Sequence, residues 1–403
     1  TAANPAPDWP PNDQAYTGGK LWNLDMLKVR GAWEAGLDGD VYVYNGKPVR
    51  ADGDGNAIPV KVAIIDTGLF GTGTTDTVQH EDLDYGNITP GYNFIAGTEG
   101  NAPDAHGHGT FVAGLIAAQV NNSTGVAGAM PKVTLVPEKV FDTGSASTED
   151  VISAIYHATD VMHVDVINMS LGGEYNESSL EIACNHAVAE DVLVVASAGN
   201  DGVSTPNYPA AYDSVVGVAS VNSNEVRSTW SQYGKSVFVT APGESVTSTY
   251  NEGADSYLTA SGTSFSGPEV AALAAMCKSV YPDIDQDIFK QFLIDTSKDL
   301  GATGYDDYYG WGLVDFTAMA QAVLQSQVLP WYTLDFDVSD SDGHALEGES
   351  VVLTAAEDIS WEANSEADEP YGAGQLDEGA VVEPETDGSY RLHKGSYHYT
   401  VSA

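Results

Sequence analysis

The feature that most constrains this chain is a regular alternation of short apolar runs with longer helical stretches. The run Val60–Ile65 has the continuous hydrophobic character of a strand that is buried on both faces. Helical stretches follow near residues 110–120, 148–160 and 178–190. Similar strand runs lie at Val133–Val136, Val164–Met169, Val192–Ser197, Val215–Val221 and Phe238–Ala241. Strands that alternate with helices predict an α/β domain with a mainly parallel central sheet flanked by helices.

Polar residues directly follow three of the predicted strands. Asp66 comes after the first buried strand, Ser170 after residues 164–169, and Asn200 after residues 192–197. Open α/β sheets bind their ligands at the carboxyl ends of the strands. We therefore expect these three residues to lie near one another in a binding site.

The segments outside this pattern predict an arm and three more helices. Residues 1–20 are rich in Pro, Asn and Gly and predict an extended N-terminal arm, followed by a short amphipathic helix near residues 24–36. The stretch Gly267–Val280 is hydrophobic on almost every side, which indicates a buried helix. An amphipathic helix is expected next, near residues 284–297.

A change of composition predicts a second domain. Residues 328–403 contain seventeen Asp and Glu against two basic residues, and they alternate like β-strands at 331–338, 350–355 and 389–403. A chain of 403 residues also exceeds the usual length of one domain. We expect a main domain over residues 21–327 and a small all-β module over residues 328–403, and an interpretation in which this module is cut short stays open.

The charge of the chain excludes several classes of partner. Fifty-eight acidic residues against fifteen basic ones give a formal net charge of −43 at pH 7. Such a surface repels nucleic acid and anionic membranes, attracts cations and favours solubility. Two explanations fit this negative charge. One is that the organism's secreted proteins are generally acidic, and the other is adaptation to high salt; we favour the first. We expect a monomer with no nucleic-acid partner.

Targeting signals are not evident in the sequence. No stretch approaches the roughly 18 uninterrupted apolar residues of a membrane helix, so we expect no membrane span. Residues 1–20 lack the basic and apolar regions of a signal peptide. We therefore expect a mature form from which a targeting segment has been removed.

The two cysteines are too few for a disulfide framework. Cys184 and Cys277 both lie in predicted helices among apolar neighbours. Two buried free thiols are the favoured interpretation, with a single bridge as the alternative.

Four short segments carry the residue types that acyl transfer from an amide requires. That reaction needs a nucleophile, a base, a group that orients the base, and donors aimed at the developing oxyanion. Each segment alone is weak evidence, because a Ser at a helix start, for example, is most often an N-cap. In chain order they are Ile64-Ile-Asp66-Thr-Gly68, Gly107-His-Gly-Thr-Phe-Val-Ala-Gly114, Ser197-Ala-Gly-Asn200-Asp-Gly202 and Ser261-Gly-Thr-Ser264-Phe-Ser-Gly-Pro268.

Together, and in the order Asp, His, Ser, these segments resemble the subtilase family of serine proteases over about residues 21–324. In α/β-hydrolases, by contrast, the nucleophile lies in G-x-S-x-G and precedes the acid and the histidine. The resemblance implies a subtilisin-like three-layer fold and a serine endopeptidase that is secreted or associated with the cell envelope. It also implies a nucleophile, a general base, an orienting acid and an oxyanion donor, which are Ser264, His108, Asp66 and Asn200 respectively.

Two histidines compete for the role of base. His106 and His108 both lie in Asp104-Ala-His-Gly-His-Gly-Thr. The family pattern puts the base directly before Gly-Thr, which selects His108. We expect His106 to flank the substrate cleft, either as an ordinary exposed histidine or as a contributor to subsite preference.

The resemblance also implies a substrate-binding wall. A substrate backbone would pair with the strand end formed by Ser170, Leu171, Gly172 and Gly173. Asn207, within a segment similar to that of thermitase-like members, would lie nearest the floor of the S1 pocket. We expect protein or peptide substrates, broad specificity, and a preference for a large apolar P1 side chain.

Residues 120–126 resemble the family's calcium loop. The resemblance implies Asp82 as the carboxylate ligand and Asn122 as a side-chain ligand, together with the carbonyl groups of Val120, Thr124 and Val126. Hard oxygen ligands of this mixed kind suit Ca²⁺. The alternative is a loop that keeps its shape without a metal.

Residues 40–58 are longer than the family's usual link into the first catalytic strand. Val41–Tyr44 alternates into Asn45-Gly46, which is typical of a hairpin turn. Residues 52–56 suggest a second calcium loop but lack the glutamate that closes an EF-hand, so we expect a solvated turn. The function of this segment stays open.

Three departures from the family pattern affect positions near the site. Phe111 stands where a second His is common, Phe265-Ser266-Gly267 varies the usual sequence after the nucleophile, and Glu269 replaces a frequent His. None of these side chains supplies a proton or an oxyanion donor. We therefore expect them to alter the pH optimum and the shape of the subsites and to leave the chemistry unchanged.

Two other functions remain as alternatives to a broad endopeptidase. One is a processing protease with a single physiological target. The other is a surface-binding protein whose acidic β-module dominates and whose protease domain is vestigial. The intact Asp66, His108, Asn200 and Ser264 argue against the second alternative, because a vestigial site usually loses one of these groups.

Overall fold

The structure is a computed structural model of the chain. It describes residues 7–328 apart from 45, 46, 54 and 77, together with seven short strands between residues 332 and 402. The chain divides into two compact units, Thr1–Val323 and Leu324–Ala403. This division falls close to the predicted boundary at residue 327.

The strands of the first unit include all six that the sequence predicts. Short additional strands, which the sequence did not reveal, are Tyr92–Asn93, Thr98–Glu99, Val246–Thr249 and Tyr257–Ala260. In chain order the strands are β1 (Val43–Tyr44), β2 (Lys47–Pro48), β3 (Lys61–Asp66), β4 (Tyr92–Asn93), β5 (Thr98–Glu99), β6 (Thr134–Lys139), β7 (Val166–Met169), β8 (Leu193–Ser197), β9 (Val216–Val221), β10 (Val239–Pro242), β11 (Val246–Thr249) and β12 (Tyr257–Ala260).

Eight of these strands form the central sheet, in the order β10-β9-β8-β7-β3-β6-β4-β5. Every neighbouring pair is parallel except β4 and β5. The predicted, mainly parallel sheet is therefore confirmed. Strands β6 to β10 are buried at every position, which explains why each appears in the sequence as a continuous run with little alternation.

Helices cover both faces of the sheet and give the predicted three layers. One face, which carries Ala63 and Ile65, packs against the helices Thr148–Tyr156 and Ser178–Ala189. The alternate residues point to the other face, where the helices His108–Ala117 and Thr263–Val280 contact each other and the strands. The helices are α1 (Gln14–Thr17), α2 (Trp22–Met26), α3 (Val29–Glu34), α4 (His108–Ala117), α5 (Thr148–Tyr156), α6 (Ser178–Ala189), α7 (Thr263–Val280), α8 (Gln286–Thr296) and α9 (Phe316–Val328).

Three predictions about the helices were wrong in detail. The N-terminal arm is not extended throughout, because it contains α1. The single helix expected near residues 24–36 is two helices, since Lys28 adopts the left-handed conformation (φ 54°) between α2 and α3. The buried helix expected from Gly267 begins four residues earlier, at Thr263, so that the nucleophile candidate lies inside its first turn.

The long segment 40–58 packs against the end of the sheet opposite the predicted site. The predicted hairpin is present as β1 and β2, which pair in antiparallel fashion. The N–H of Tyr42 donates to the carbonyl of Ser279 at the end of α7, and Arg50 forms an ion pair with Asp165, just before β7. This segment therefore ties α7 to the amino end of β7.

Both cysteines are buried free thiols, as favoured from the sequence, and no bridge joins Cys184 to Cys277. Burial raises the pKa of Cys184 to about 12. Of the helices that the structure describes, none has the length and apolar character needed to cross a membrane.

The second unit contains the seven short strands beyond residue 331. They pair only in antiparallel fashion, for example Val352–Ala355 with Tyr399–Ser402. Three of the predicted strand regions overlap them, and the remaining parts of those predictions lie outside the described residues. A folded all-β module stays a prediction.

Helix α7 carries a buried carboxyl group, that of Glu269, which is fully excluded from solvent. Its Oε1 accepts a hydrogen bond from the side-chain amide of Asn23 at 2.7 Å, and among the described residues its Oε2 has no partner. Burial raises the pKa of Glu269 to about 8. The carboxyl group is therefore protonated in the folded chain at neutral pH.

Glu269→Gln is expected to remove part of the pH dependence of stability. In the folded state Glu269 holds its proton up to about pH 8, whereas in the unfolded state it loses it near pH 4.5. The folded state binds more protons in this window, so stability falls as the pH rises through it. The melting temperature of the wild type should fall more steeply between pH 5 and pH 9 than that of Glu269→Gln.

The control is Glu190→Gln, which changes an exposed glutamate at the end of α6. Its melting curve against pH should run parallel to that of the wild type. Parallel curves for wild type and Glu269→Gln would show instead that Glu269 ionises normally.

Candidate active site

The residues selected from the sequence converge at the carboxyl end of the central sheet. Asp66 ends β3, Ser170 follows β7, and Asn200 lies three residues after β8. The first turns of α4 and α7 bring in His108 and Ser264. A cleft of about 780 Å³ opens there. Its lining includes His106, His108, Ser170, Leu171, Gly172, Gly173, Asn200, Asn207 and Ser264.

Asp66 and His108 form a tightly bonded pair at the base of this cleft. The Asp66 side chain is fully buried, and the Nδ1 atom of His108 lies 2.8 Å from its Oδ1 and 2.9 Å from its Oδ2. The backbone N–H of Thr67 donates to the same Oδ1 at 2.7 Å. A carboxylate in this position holds the proton on Nδ1 and leaves Nε2 unprotonated, able to act as a base.

The loop before α4 fixes the position of His108. The Asp104 carboxylate accepts hydrogen bonds from the N–H groups of His106 and Gly107, and from both the N–H and the hydroxyl of Thr110. Gly107 adopts φ 99°, a conformation that favours glycine. These bonds cap the first turn of α4, so that the ring of His108 is held against β3.

Opposing effects set the pKa of His108. Burial lowers it, whereas the charge of Asp66, the hydrogen bond to Asp66 and the charge of Asp104 raise it. The net effect is a pKa above the ordinary value of histidine. The ring of His106 lies 6.3 Å from that of His108 and is exposed at the rim of the cleft. Of the two histidines, His108 is the one bonded to Asp66.

Ser264 is the second residue of α7, and its helix contains an internal proline. Pro268 has no N–H, so it cannot bond the carbonyl group of Ser264 four residues earlier. The hydroxyl of Ser170 donates to that carbonyl instead, at 2.7 Å. The Ser264 hydroxyl donates to the carbonyl of Ser170 at 3.3 Å. Within the described residues it makes no hydrogen bond to His108.

The side chain of Asn200 is oriented by Thr263, the residue before Ser264. Its Oδ1 accepts hydrogen bonds from the N–H of Thr263 at 2.8 Å and from the Thr263 hydroxyl at 3.0 Å. The N–H of Gly199 donates to the same hydroxyl. Because Oδ1 is engaged, the orientation of the amide is fixed and its NH₂ group remains available to an oxyanion.

The residues of the predicted substrate wall line the cleft. Gly173 and Tyr208 exchange backbone hydrogen bonds of 2.9 and 2.7 Å as an antiparallel bridge. Asn207 lies behind the wall, nearly buried, and donates to the carbonyl of Ser197. A Cβ on Gly172 would approach the Asn207 amide to 2.2 Å, so a side chain there would displace Asn207.

Of the two unusual phenylalanines, Phe265 contacts the imidazole ring of His108, and Phe111 packs behind Phe265. The ring of Phe265 lies 5.6 Å from that of His108, and the ring of Phe111 lies 4.2 Å from Phe265. The sequence marked both positions as unusual, but only the fold reveals that they are neighbours.

Three predicted calcium ligands, Asp82, Asn122 and Val126, meet in the structure. Asp82 is buried and accepts hydrogen bonds from the Asn122 side-chain amide at 2.8 Å and from the Val126 N–H at 2.7 Å. Burial, together with the nearby charge of Asp13, raises the pKa of Asp82 to about 7. Asn122 thus bonds Asp82 through its NH₂ group, while its Oδ1 accepts from the N–H of Thr124.

Asp13 is a residue of this region that the sequence reasoning missed. It is fully buried beside the loop 120–126, and its Oδ2 accepts a hydrogen bond from the N–H of Asn121. Its Oδ1 has no hydrogen-bond partner among the described residues. Asp13 lies in the N-terminal arm, more than a hundred residues before the loop, so nothing in the sequence connected it with the calcium loop. A buried carboxylate with a free oxygen fits a cation.

The carbonyl groups of the loop 120–126 differ in their hydrogen bonding. One set accepts hydrogen bonds from the N-terminal arm, and it consists of Asn121, Ser123 and Gly125. The other set accepts none from any residue that the structure describes, and it consists of Val120, Thr124 and Val126. The described residues contain no cluster of three His, Cys, Asp or Glu side chains suited to a metal. A cation here would therefore depend on carbonyl oxygens.

Comparison with known proteins identifies the family of the chain. The profile described as Subtilase family matches residues 58–312. The chain belongs to the subtilase family. It is 41% identical to subtilisin DY of Bacillus licheniformis over 267 residues, which cover 65% of this chain and 91% of that protein. It is 39% identical to thermitase of Thermoactinomyces vulgaris over 270 residues, which cover 67% of this chain and 85% of that protein.

A solved structure also matches this subtilase. A protease from Pseudoalteromonas arctica aligns with a TM-score of 0.65 and 30% identity, covering 78% of this chain and 99% of that chain. The predicted family and fold are confirmed, and the chain is a serine endopeptidase of the subtilisin type.

Proposed function

We propose that this subtilase hydrolyses peptide bonds through an acyl-enzyme, with Ser264 as nucleophile, His108 as base and Asp66 as orienting acid. The observation that carries the proposal is the bond from His108 Nδ1 to both oxygens of the buried Asp66. That bond leaves Nε2 as the ring's only proton acceptor, and the cleft that it lines also contains Ser264.

The first chemical step transfers a proton and forms a bond. His108 Nε2 takes the proton of the Ser264 hydroxyl as Oγ attacks the substrate carbonyl carbon. This requires the hydroxyl to rotate away from the Ser170 carbonyl, to which it donates at 3.3 Å. Asp66 stabilises the imidazolium, which then gives its proton to the leaving amine. A water molecule then attacks the acyl-enzyme through the same proton transfers, and the carboxylic acid product is released.

The oxyanion is stabilised by donors that are already in place. Asn200 offers its NH₂ group, whose orientation Thr263 fixes. The backbone N–H of Ser264 and the N-terminus of α7 add positive potential at the same point. Donors held by the fold need no reorganisation when the charge develops.

The proposed substrate is an extended peptide that pairs with residues 170–173. Main-chain pairing gives affinity without sequence selection, and the adjoining pocket near Asn207 receives the P1 side chain. Apolar groups from Leu171, Leu180, Val151 and Tyr208 line the same cleft. We infer broad specificity with a preference for large apolar P1 side chains.

A structural Ca²⁺ in the loop 120–126 is part of the proposal. The residues that would hold it are Asp82, Asn122 and Asp13, with the carbonyl groups of Val120, Thr124 and Val126. The free Oδ1 of Asp13 and the unbonded carbonyls support it. The ion would fix the loop against the N-terminal arm and would take no part in the reaction.

We further propose that the protein acts outside the cell as a monomer, secreted or associated with the cell envelope. Family membership and the net charge of −43, which favours solubility, support this. A processing protease with one target is the second candidate within enzymes. The apolar side chains that line the cleft favour the broad endopeptidase.

Ser264→Ala is expected to abolish turnover and to change the melting temperature by less than about 2 °C, because the hydroxyl contributes little packing. The measurement pairs casein hydrolysis with labelling by a fluorophosphonate probe at neutral pH. Ser153→Ala, on the exposed side of α5, is the matched control and should be labelled like the wild type. Failure of the probe to modify wild-type Ser264 contradicts an active enzyme and favours the vestigial alternative.

Peptides that differ only at P1 are expected to separate by the size of the apolar side chain. Phe, Tyr or Leu at P1 should give a kcat/KM about tenfold or more above Gly, because the pocket gains apolar contact. The peptide with Asp at P1 should be cleaved slowest, because its carboxylate would lose its hydration in a pocket near other carboxylates. A peptide library with mapped P1–P1′ bonds provides the test, and cleavage confined to one sequence would support the processing protease.

Chelation is expected to lower the melting temperature by about 5 °C or more, because an ion that binds only the folded state stabilises it. The measurement compares the Ser264→Ala protein, which cannot digest itself, in EDTA and in millimolar Ca²⁺. Asp82→Asn should abolish the difference, whereas Asp52→Asn, in the other acidic loop, should leave it intact. Identical melting curves in both solutions would rule out the site.

A further inference from the structure

The rings of Phe111, Phe265 and His108 form a stack in that order, so that only Phe265 contacts the imidazole ring. Phe265 follows Ser264 on α7, and its ring is tilted by 39° to that of His108 with centroids 5.6 Å apart. Phe111 lies one turn after His108 on α4, and its ring is tilted by 36° to that of Phe265 at 4.2 Å. The stack therefore joins the two helices that carry the base and the nucleophile.

The surroundings leave this stack little freedom to move. Phe265 is 7% exposed and Phe111 is 1% exposed, and both belong to one apolar cluster with Leu115 and Val246. The hydroxyl of Ser248 on β11 donates to the carbonyl of Phe111 at 2.7 Å. Because the rings are confined from behind, the position of Phe265 constrains that of His108.

The chemistry gives such a contact an electrostatic effect as well as a steric one. The face of an aromatic ring attracts a cation within about 6 Å of its centre. His108 becomes a cation when it takes the proton of the nucleophile. An aromatic neighbour thus stabilises the charged form, whereas an aliphatic neighbour of similar size provides burial without this attraction.

We propose that Phe265, supported by Phe111, is a positioning residue that holds the His108 ring between Asp66 and Ser264 and stabilises its imidazolium form. The inference rests on the proposed function of His108 as the base. It assigns a role to two positions that differ from the usual family pattern.

Other groups also influence the charge of His108, and the test must hold them constant. Asp66 on β3 and Asp104 before α4 raise its pKa. The exposed ring of His106 lies 6.3 Å away, and the Tyr250 hydroxyl donates to the His106 carbonyl. A substitution at Phe265 alters none of these groups.

The deciding variant is Phe265→Leu, which keeps an apolar side chain beside His108 and removes the aromatic face. The acid limb of kcat/KM against pH should move to lower pH by about half a unit, the size of one cation–π contact. The value of kcat should fall about three- to tenfold, with KM changed less than twofold. The measurement uses a peptide amide substrate between pH 5 and 10 at constant ionic strength and in Ca²⁺.

Two further variants separate this effect from a general loss of packing. Phe111→Leu removes the supporting ring and should shift the acid limb in the same direction by a smaller amount. Phe289→Leu removes a fully buried ring of α8 outside the cluster and should leave the acid limb where it is. If Phe265→Leu fails to fold by circular dichroism, Phe265→Met takes its place with the same expected shift.

The inference is overturned if the Phe265 variant has the acid limb and kcat of the wild type, or if Phe289→Leu shifts the limb equally. Both outcomes leave wild-type hydrolysis and probe labelling of Ser264 intact. A wild type without either activity would instead overturn the proposed function. The two failures are thus distinguishable.

Discussion

The structure of the site depends on the burial of one charge, that of Asp66. A buried carboxylate is costly unless it is paired and hydrogen-bonded, and here His108 and the N–H of Thr67 satisfy it. To supply that partner, the first turn of α4 must lie directly on the end of β3. Gly109 permits this, since a Cβ there would come within 2.1 Å of the Gly68 carbonyl oxygen.

Once α4 lies on the end of β3, the parallel sheet determines the positions of the other site residues. Strands β7 and β8 lie beside β3 in order, so their carboxyl ends present Ser170 and Asn200 next to the same point. Helix α7 crosses these strands on the face that α4 also covers, which brings Ser264 to the cleft. The proposed acid, base, nucleophile and oxyanion donor thus come from separate elements that one sheet aligns.

Much of this was predictable from the sequence, and the failures have physical reasons. Buried parallel strands appear as continuous apolar runs, so β3 and β6 to β10 were predicted, while the two-residue β4 and β5 gave no such run. The break at Lys28 was missed because a left-handed lysine has no sequence signal. Asp13 and the contact between Phe111 and Phe265 were missed because both depend on residues distant in the chain.

The hydrogen bonds exchanged by Ser170 and Ser264 link the predicted substrate wall to the proposed nucleophile. Pro268 leaves the carbonyl of Ser264 without a helical partner, and the Ser170 hydroxyl at the end of β7 donates to it instead. Ser170 thus belongs to the predicted wall and also anchors the turn that carries the Ser264 hydroxyl. A peptide that paired with residues 170–173 would therefore be positioned by the same residue that positions the proposed attacking oxygen.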